Sequence, residues 1–347
     1  MKKRLVAGIL AGAMAMSLMA GCGSSSSSSA AADSAASGSA VKAADGEYNM
    51  TLLMSVRDEF LSSLEAAAMS CAKENGVNLT TQDCQNDASK QLQYIETAAN
   101  NGEDAVLVNV VDAETGKECI EAAGDMACVF VNRSLSDNEL IKDYKNAAIV
   151  ASNEDETGGY VVENLDKHFA DKGDEPINVV IICGVMGQYA VTHRTQSVKD
   201  AMEASKLNYV QVGEDLAGEW DRATAIDVIS PLLGVEDIDA VLCNNDSMAI
   251  GVIEALNAAG LEPGKDVVVT GIDATVDGCQ AVAEGTELCT VFQNPVGQGE
   301  GAILAALNII NGKPCNDGTD FETAEGNDQV MWVPFEPVNA DNVADYQ

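Results

Sequence analysis

Residues able to grip an uncharged polar molecule recur in this chain at one kind of place, directly after a short apolar run where a helix is about to begin. Arg57-Asp58-Glu59-Phe60-Leu61 follows the first such run, and Asn132-Arg133-Ser134 follows Val129-Phe130-Val131. Gly184-Val185-Met186-Gly187-Gln188 opens toward a helical stretch holding His193 and Arg194, and Trp220-Asp221-Arg222 begins another. Asn244-Asn245-Asp246 ends the run Ala240–Cys243, while Asp273 and Gln293 stand after the last two runs. Each corner has a purely structural explanation. Asp58 suits a helix cap with Phe60 as its staple, Asn132 a surface turn, Asp246 the N-cap of a helix ending at Gly260, and Trp220 a packing anchor. Together, however, the corners supply two carboxylates, several amides, one or two guanidiniums and two aromatic rings. Hydroxyls donate to carboxylates and accept from Arg and Asn, and the C–H faces of a sugar ring stack on aromatics. That inventory fits a neutral polyol, since an anion would want more basic groups and a hydrophobic ligand fewer polar ones.

Other chemistries lack their residues. The lone Gly-x-x-Gly at Gly184 is a weak phosphate signal, and the six-residue glycine fingerprint is absent. No Ser or Cys nucleophile has a base at a recognisable spacing, and His168 lies within a helical pattern. Asp58 and Asp273 could imitate the paired carboxylates of a carbohydrate hydrolase, but an enzyme is the least favoured reading. No C-x-x-C or Cys/His ligand spacing is present, so neither a metal nor a cofactor is expected.

The elements that must position these residues alternate in kind. Apolar runs at Met50 to Val56, Val77 to Thr81, Ala105 to Val111, Ala127 to Val131 and Ala147 to Ala151 read as strands, with helical periodicity over Leu61 to Glu74, Ser89 to Asn100 and Thr115 to Ala123. A second series has strands at Val179 to Cys183, Tyr209 to Val212, Ala240 to Cys243, Val267 to Gly271 and Leu288 to Phe292, and a last long helix over Gly299 to Ile310. Parallel strands need such crossovers, so the fold class is α/β with two doubly wound parallel sheets. Ligands of such sheets sit at the carboxyl ends of the strands, where the corners lie.

The chain has 347 residues and a formal charge of −36. So acidic a surface repels nucleic acid and anionic lipid headgroups, which excludes both as ligands. Of ten cysteines, Cys71, Cys119, Cys128, Cys183, Cys243 and Cys279 lie in or beside apolar segments and read as buried free thiols. Lys2-Lys3-Arg4 precedes the apolar run Leu5 to Ala20, the pattern of a secretory signal. Met19-Ala20-Gly21-Cys22 resembles a bacterial lipobox, which implies a lipid on Cys22 as the mature N-terminus. Gly23 to Asp45 is rich in Ser and Ala with almost no large apolar residue, the composition of a flexible tether.

At the corner residues the chain resembles bacterial type I periplasmic sugar-binding proteins of the galactose/glucose- and ribose-binding kind. The resemblance covers Tyr48 to Tyr346. It is carried by Asn86-Asp87-Ala88-Ser89-Lys90-Gln91, Val108-Asn109-Val110-Val111-Asp112, Glu219-Trp220-Asp221, Asn244-Asn245-Asp246-Ser247-Met248-Ala249, Gly271-Ile272-Asp273-Ala274 and Val333-Pro334-Phe335-Glu336-Pro337-Val338-Asn339. It implies that Phe60 and Trp220 sandwich a sugar ring and that Asp58, Asn132, Gln188, Arg194, Asn245, Asp273 and Gln293 surround it with polar groups. Gln188 and Ala190 replace the His and Asp of the galactose/glucose protein, which removes one acceptor. The segment Ala170 to Asn178 lacks the alternating oxygen ligands of that protein's calcium loop. The resemblance further implies two lobes, residues 47–152 with 295–326 and residues 153–294 with 327–347, joined by crossings near Ser152, Asn294 and Gly326. A signal peptide (1–21) and a tether (22–46) would precede them.

The expected protein is therefore a monomeric, lipid-anchored, extracytoplasmic binding protein that delivers a monosaccharide, hexose or pentose, to the permease of an ABC importer. A receptor-directed sugar sensor has the same sequence signature. A sugar-responsive transcription regulator would need a basic helix-turn-helix where the signal and tether stand.

Overall fold

A computed structural model of the chain describes Val41–Lys42 and residues 48–347. The expected signal segment, Cys22 and nearly all of the tether lie outside the described residues.

Short runs of Val, Ile, Leu and Ala become strands because a strand covered on both faces needs no polar alternation. In chain order, β1 (Val41–Lys42) and β2 (Tyr48–Met54) are followed by α1 (Glu59–Glu74), β3 (Val77–Asp83), α2 (Ala88–Asn100), β4 (Ala105–Val108), α3 (Gly116–Ala123), β5 (Ala127–Val131) and β6 (Ala147–Ala151). A second series runs α4 (Thr157–His168), β7 (Pro176–Cys183), α5 (Tyr189–Ala204), β8 (Asn208–Gln211), β9 (Leu216–Ala217), α6 (Arg222–Ile229), β10 (Ala240–Cys243), α7 (Asp246–Ala259), β11 (Val268–Thr270), α8 (Val276–Glu284) and β12 (Cys289–Gln293). The chain closes with α9 (Pro295–Ile310), β13 (Glu322–Ala324), β14 (Asn327–Trp332) and β15 (Phe335–Asn339).

The strands form two sheets, ordered β1-β3-β2-β4-β5-β6-β14-β13 and β15-β12-β11-β10-β7-β8, with β9 paired to β7. Both are parallel through their middles and antiparallel only where β1, β13 and β15 pair. Each sheet buries an apolar cluster on either face. Leu52, Leu107 and Val129 face α1 and α9, and Leu53, Val106 and Phe130 face the other way. In the second sheet Val180 and Val241 face α7, and Val179 and Ala240 face α4. This is the doubly wound α/β architecture expected, with antiparallel edges that were not.

The route between the sheets differs from expectation in one place. Residues 327–332 form β14, which pairs in parallel with β6 through Val330 and Ile149, so they belong to the first sheet and not the second lobe. The chain returns to the second sheet only at β15, after Trp332. Gly326 is instead the left-handed turn residue of the β13–β14 hairpin, at φ +78°. The other transfers follow β6 and β12. After β12, Asn294 caps α9 by accepting from Gly297 N at 2.8 Å, and Pro295 fills the first helical position, so this helix starts four residues earlier than its apolar period suggests.

All nine described cysteines are buried and unpaired. No helix among the described residues is long and apolar enough to cross a membrane, and no cluster of three His, Cys, Asp or Glu side chains among them could hold a metal.

Close packing of α9 on α1 rests on Gly299, where a Cβ would fall 2.5 Å from Leu64 O and 2.9 Å from Ala68 N. Backbone atoms cannot swing aside, so Gly299→Ala should destabilise the protein by about 1–3 kcal/mol in urea unfolding. Exposed Gly159 in α4 has nothing within 4 Å of the same position. There Gly→Ala should be neutral or stabilise by roughly 0.5–1 kcal/mol through helix propensity. Equal effects at the two sites would refute the packing argument.

Candidate functional site

The corners meet in one cleft between the carboxyl ends of the two sheets. Asp58, Phe60, Leu61, Asn132 and Arg133 line it from the first sheet. Gln188, Ala190, Arg194, Trp220, Asn245, Asp273 and Gln293 line it from the second, and Glu154 from the segment after β6. All nine residues singled out in the sequence are among them. The cleft holds about 490 Å³ of space between its walls, part of it open to solvent.

Arg194 is the centre of the second wall. It projects from α5 and is 4% exposed, and all five of its N–H donors have acceptors. Nε donates to Glu154 Oε2 at 2.6 Å and Nη2 to Glu154 Oε1 at 3.3 Å. Nη1 reaches Asn244 O at 2.7 Å and Asp273 Oδ1 at 3.4 Å, and Nη2 reaches Gln293 Oε1 at 3.2 Å. Burial works against its charge, but Glu154 and Asp273 outweigh burial and hold its pKa above the usual guanidinium value. The guanidinium is thus a fastener of the wall with no free donor.

What Arg194 fixes is left with capacity to spare. Gln293 turns its oxygen to Arg194, and its buried Nε2 has no partner. Asp273 accepts one bond from Arg194, and burial pushes its carboxyl well above the usual range, with Arg194 opposing and Asp246, Asp58 and Glu154 adding to the shift. Trp220 Nε1 donates to Gln188 Oε1 at 2.7 Å, and the Arg194 guanidinium lies 5.5 Å from its ring centre. The indole fits only because residue 184 is glycine: a Cβ there would sit 2.0 Å from the ring.

The first wall is held by amides. Asn132 Nδ2 donates to Gln298 Oε1 and Asn132 Oδ1 accepts from Asn109, both at 3.1 Å. Asn109 is held in turn by Ser55, and Gln298 donates to Ser152 at 3.0 Å. Asp58 caps α1 by accepting from Leu61 N at 2.7 Å through Oδ1 and lines the cleft at the helix start. Arg133 donates to Val110 O at 3.1 Å, and burial draws its pKa down to about 10 against the pull of Asp58.

The sequence reading of the Asn244-Asn245-Asp246 corner needs one correction. Asn245, not Asp246, is the N-cap of α7, accepting from Met248 N at 3.0 Å. Asp246 is fully buried behind the cleft wall, taking bonds from Thr290 Oγ1 at 2.6 Å and Thr275 N at 2.7 Å. Glu154 completes the Arg194 cluster, although Asn153-Glu154-Asp155-Glu156 has the look of a solvated acidic run. Only its place three residues beyond the end of β6 marks it in the sequence.

A family model described as a periplasmic binding protein domain matches residues 51–314. The chain belongs to this family. Members bind solutes outside the cytoplasm and are not enzymes. Among the relatives of this periplasmic binding protein is one provisionally described as rhizopine-binding from Rhizobium meliloti, 31% identical over 89% of this chain and 92% of its own. The D-galactose/methyl-galactoside binding periplasmic protein of Haemophilus influenzae is 28% identical over 89% and 94%. A solved ABC transporter solute binding protein from Bacillus halodurans C-125, with bound myo-inositol, superposes with a TM-score of 0.73 at 28% identity, covering 87% of this chain and 98% of that one.

Behind the wall of this binding protein, Asp246 and Glu287 converge on Gly271, where a Cβ would lie 2.4 Å from one carboxyl and 2.5 Å from the other. Burial raises the Asp246 pKa to about 7 despite the threonine bonds, and burial with Asp246 raises that of Glu287 well above the usual range. Unfolded, Asp246 loses its proton near pH 3.8; folded, it does so near 7. Between those values the native state holds the extra proton, so this group's contribution to stability falls as pH rises and levels off above 7. The stability of the wild type minus that of Asp246→Asn, from urea unfolding, should therefore fall between pH 4.5 and 7.5. A difference that is flat or rising would mean that Asp246 ionises freely in the native fold.

Proposed function

We propose that this chain captures a monosaccharide or a closely similar cyclic polyol in the cleft between its two sheets and delivers it to an ABC importer. The observation that carries the reading is Gln293, whose amide donor is buried at the cleft wall without a partner while its oxygen is pinned by Arg194. An unpartnered buried donor costs roughly 1–3 kcal/mol, and a ligand hydroxyl would satisfy it. In this reading Asp58 and Asp273 accept hydroxyl hydrogens, Asn132, Gln188, Asn245 and Gln293 share amide contacts, and Phe60 and Trp220 cover the apolar ring faces. Arg194 orients Asp273 and Gln293 and meets the ligand only by giving up a present bond. The galactoside-binding relative and the myo-inositol-bound neighbour support the ligand class, since both ligands are six-membered rings studded with hydroxyls.

Residues 47–152 with α9, β13 and β14 would form one lobe and the remainder the other, closing on the ligand. Since contacts from both lobes exist only when closed, binding would draw the population to that state. The lipobox-like Met19-Ala20-Gly21-Cys22 supports a membrane anchor through Cys22, with the Ser/Ala stretch as tether and the binding unit monomeric.

A thermal-shift screen against pentoses, hexoses and inositols tests this. A ligand at a hundred times its Kd adds about 2.7 kcal/mol to native stability, a rise of several degrees in Tm for a chain of this size. Trp220→Ala should weaken the best ligand about tenfold through lost ring stacking while leaving the fold intact. The proposal would not survive a screen in which no neutral polyol moves Tm and a ligand of another class does.

A further inference from the structure

The corner that carries Asp273 is held from behind. Asp273 and Ala274 have φ of +118° and +50°, a conformation the local backbone does not favour, so bonds from elsewhere must keep it. Asp246 supplies them. Its N–H donates to Ile272 O at 2.8 Å, and its Oδ2 accepts from Thr275 N at 2.7 Å and from Thr275 Oγ1 at 3.2 Å. Its Oδ1 accepts from Thr290 Oγ1 at 2.6 Å, and Thr290 Oγ1 accepts in turn from Ala274 N at 3.1 Å. Residues on both sides of Asp273 are thus fastened to one aspartate. Glu287, in the turn between α8 and β12, meets this aspartate across Gly271 and is 1% exposed. Neither of its oxygens has a hydrogen-bond partner. A carboxylate stripped of both water and donors is costly, whereas a carboxylic acid in that place can donate its O–H to Asp246. Around the pair stand Cys243 on β10, Cys279 on α8 and Cys289 on β12, whose thiols are pushed up by burial and by these two carboxyls, with Asp273 and Arg194 on the cleft side. Arg194 is the cation of this group, and its donors are spent on Glu154, Asn244, Asp273 and Gln293.

We propose that Glu287 stays protonated at neutral pH and is a positioning residue for the cleft: its O–H bonds Asp246 and, through it, sets the strained corner that presents Asp273 to the ligand. The effect on binding rests on the reading of the cleft as a polyol site. Glu287 touches no ligand. Its part is to give Asp246 a donor on the side that the threonines do not reach, so that the aspartate keeps its hold on Ala274 and Thr275.

Three measurements on the full chain test it. Infrared spectra at pH 8 should contain a protonated-carboxyl C=O band that Glu287→Gln removes. Amide exchange at Ala274 and Thr275 should quicken several-fold in Glu287→Leu, which fills the space without a donor, and return toward the wild-type rate in Glu287→Gln, which keeps one. In titration calorimetry with D-galactose, D-ribose and myo-inositol, the tightest of the three should be weakened several-fold by the leucine variant and largely restored by the glutamine one. Absence of the band, or leucine and glutamine variants that behave alike, would overturn the role of Glu287. Where Glu287→Leu fails to fold, the band decides. Binding of none of the three ligands would count against the polyol reading and leave the band and the exchange rates to decide on Glu287.

Discussion

A guanidinium without water around it dictates its surroundings, and Arg194 imposes that condition on the cleft. Removing such a charge from water costs several kcal/mol, recovered only when every donor finds a well-placed acceptor. The acceptors come from four separate places: the segment after β6 through Glu154, the β10 corner through Asn244 O, the β11 corner through Asp273 and the β12 corner through Gln293. None can drift without stranding a buried charge or amide. A buried ion pair is weak evidence for stability, and here its effect is geometric: it brings three strand ends into register as one polar wall.

The opposite wall reaches the same segment by a different chemistry. Ser55, Asn109, Asn132, Gln298 and Ser152 form a chain of neutral hydrogen bonds from β2 to the end of β6. Ser152 and Glu154 are two residues apart, so the amide network of one wall and the ionic network of the other are anchored on one short stretch of backbone. Gln298 stands on α9, the helix that begins at the transfer after β12. The polar side chains buried there satisfy one another, Gln298 with Ser152 and Asn132 on one side and Arg194 with Glu154 on the other.

The sheets were legible because they rest on a local rule: apolar runs too short for a helix form buried strands. The corners were legible as the polar stretches beyond the carboxyl ends of those strands, but which nine residues of those corners line the cleft followed from the family resemblance, since Arg194 lies well inside α5. What escaped depends on contacts far apart in sequence. Glu154 is 40 residues from Arg194, and nothing in an acidic run announces that one of its members is buried. Asp246 and Asn245 are both good caps, and only the pull of Thr275 and Thr290 on the aspartate shows which one turns inward. The β13–β14 hairpin ends in Trp332, whose strand lies beside β6 through pairing across roughly 180 residues, beyond any period the sequence displays.

Backbone strain gathers at these corners. Among the described residues seven other than glycine have positive φ; Asn132, Trp220 and Asp273 line the cleft, and Glu219 and Ala274 adjoin two of them. Asparagine tolerates the left-handed region, but tryptophan at φ +64° and aspartate at φ +118° do not sit there without cost, on the order of 1–3 kcal/mol each. A tryptophan serving only as a packing anchor has unstrained backbones open to it. Trp220 instead stands in a strained turn, over a glycine that makes room for its ring, with its N–H tied to Gln188 and its ring beside Arg194. The ring also packs against the apolar clusters on both faces of the second sheet. The turn, the gap at Gly184 and the bond to Gln188 together hold the indole at one fixed angle at the edge of the cleft, with the second sheet's buried strands offsetting the strain of the turn.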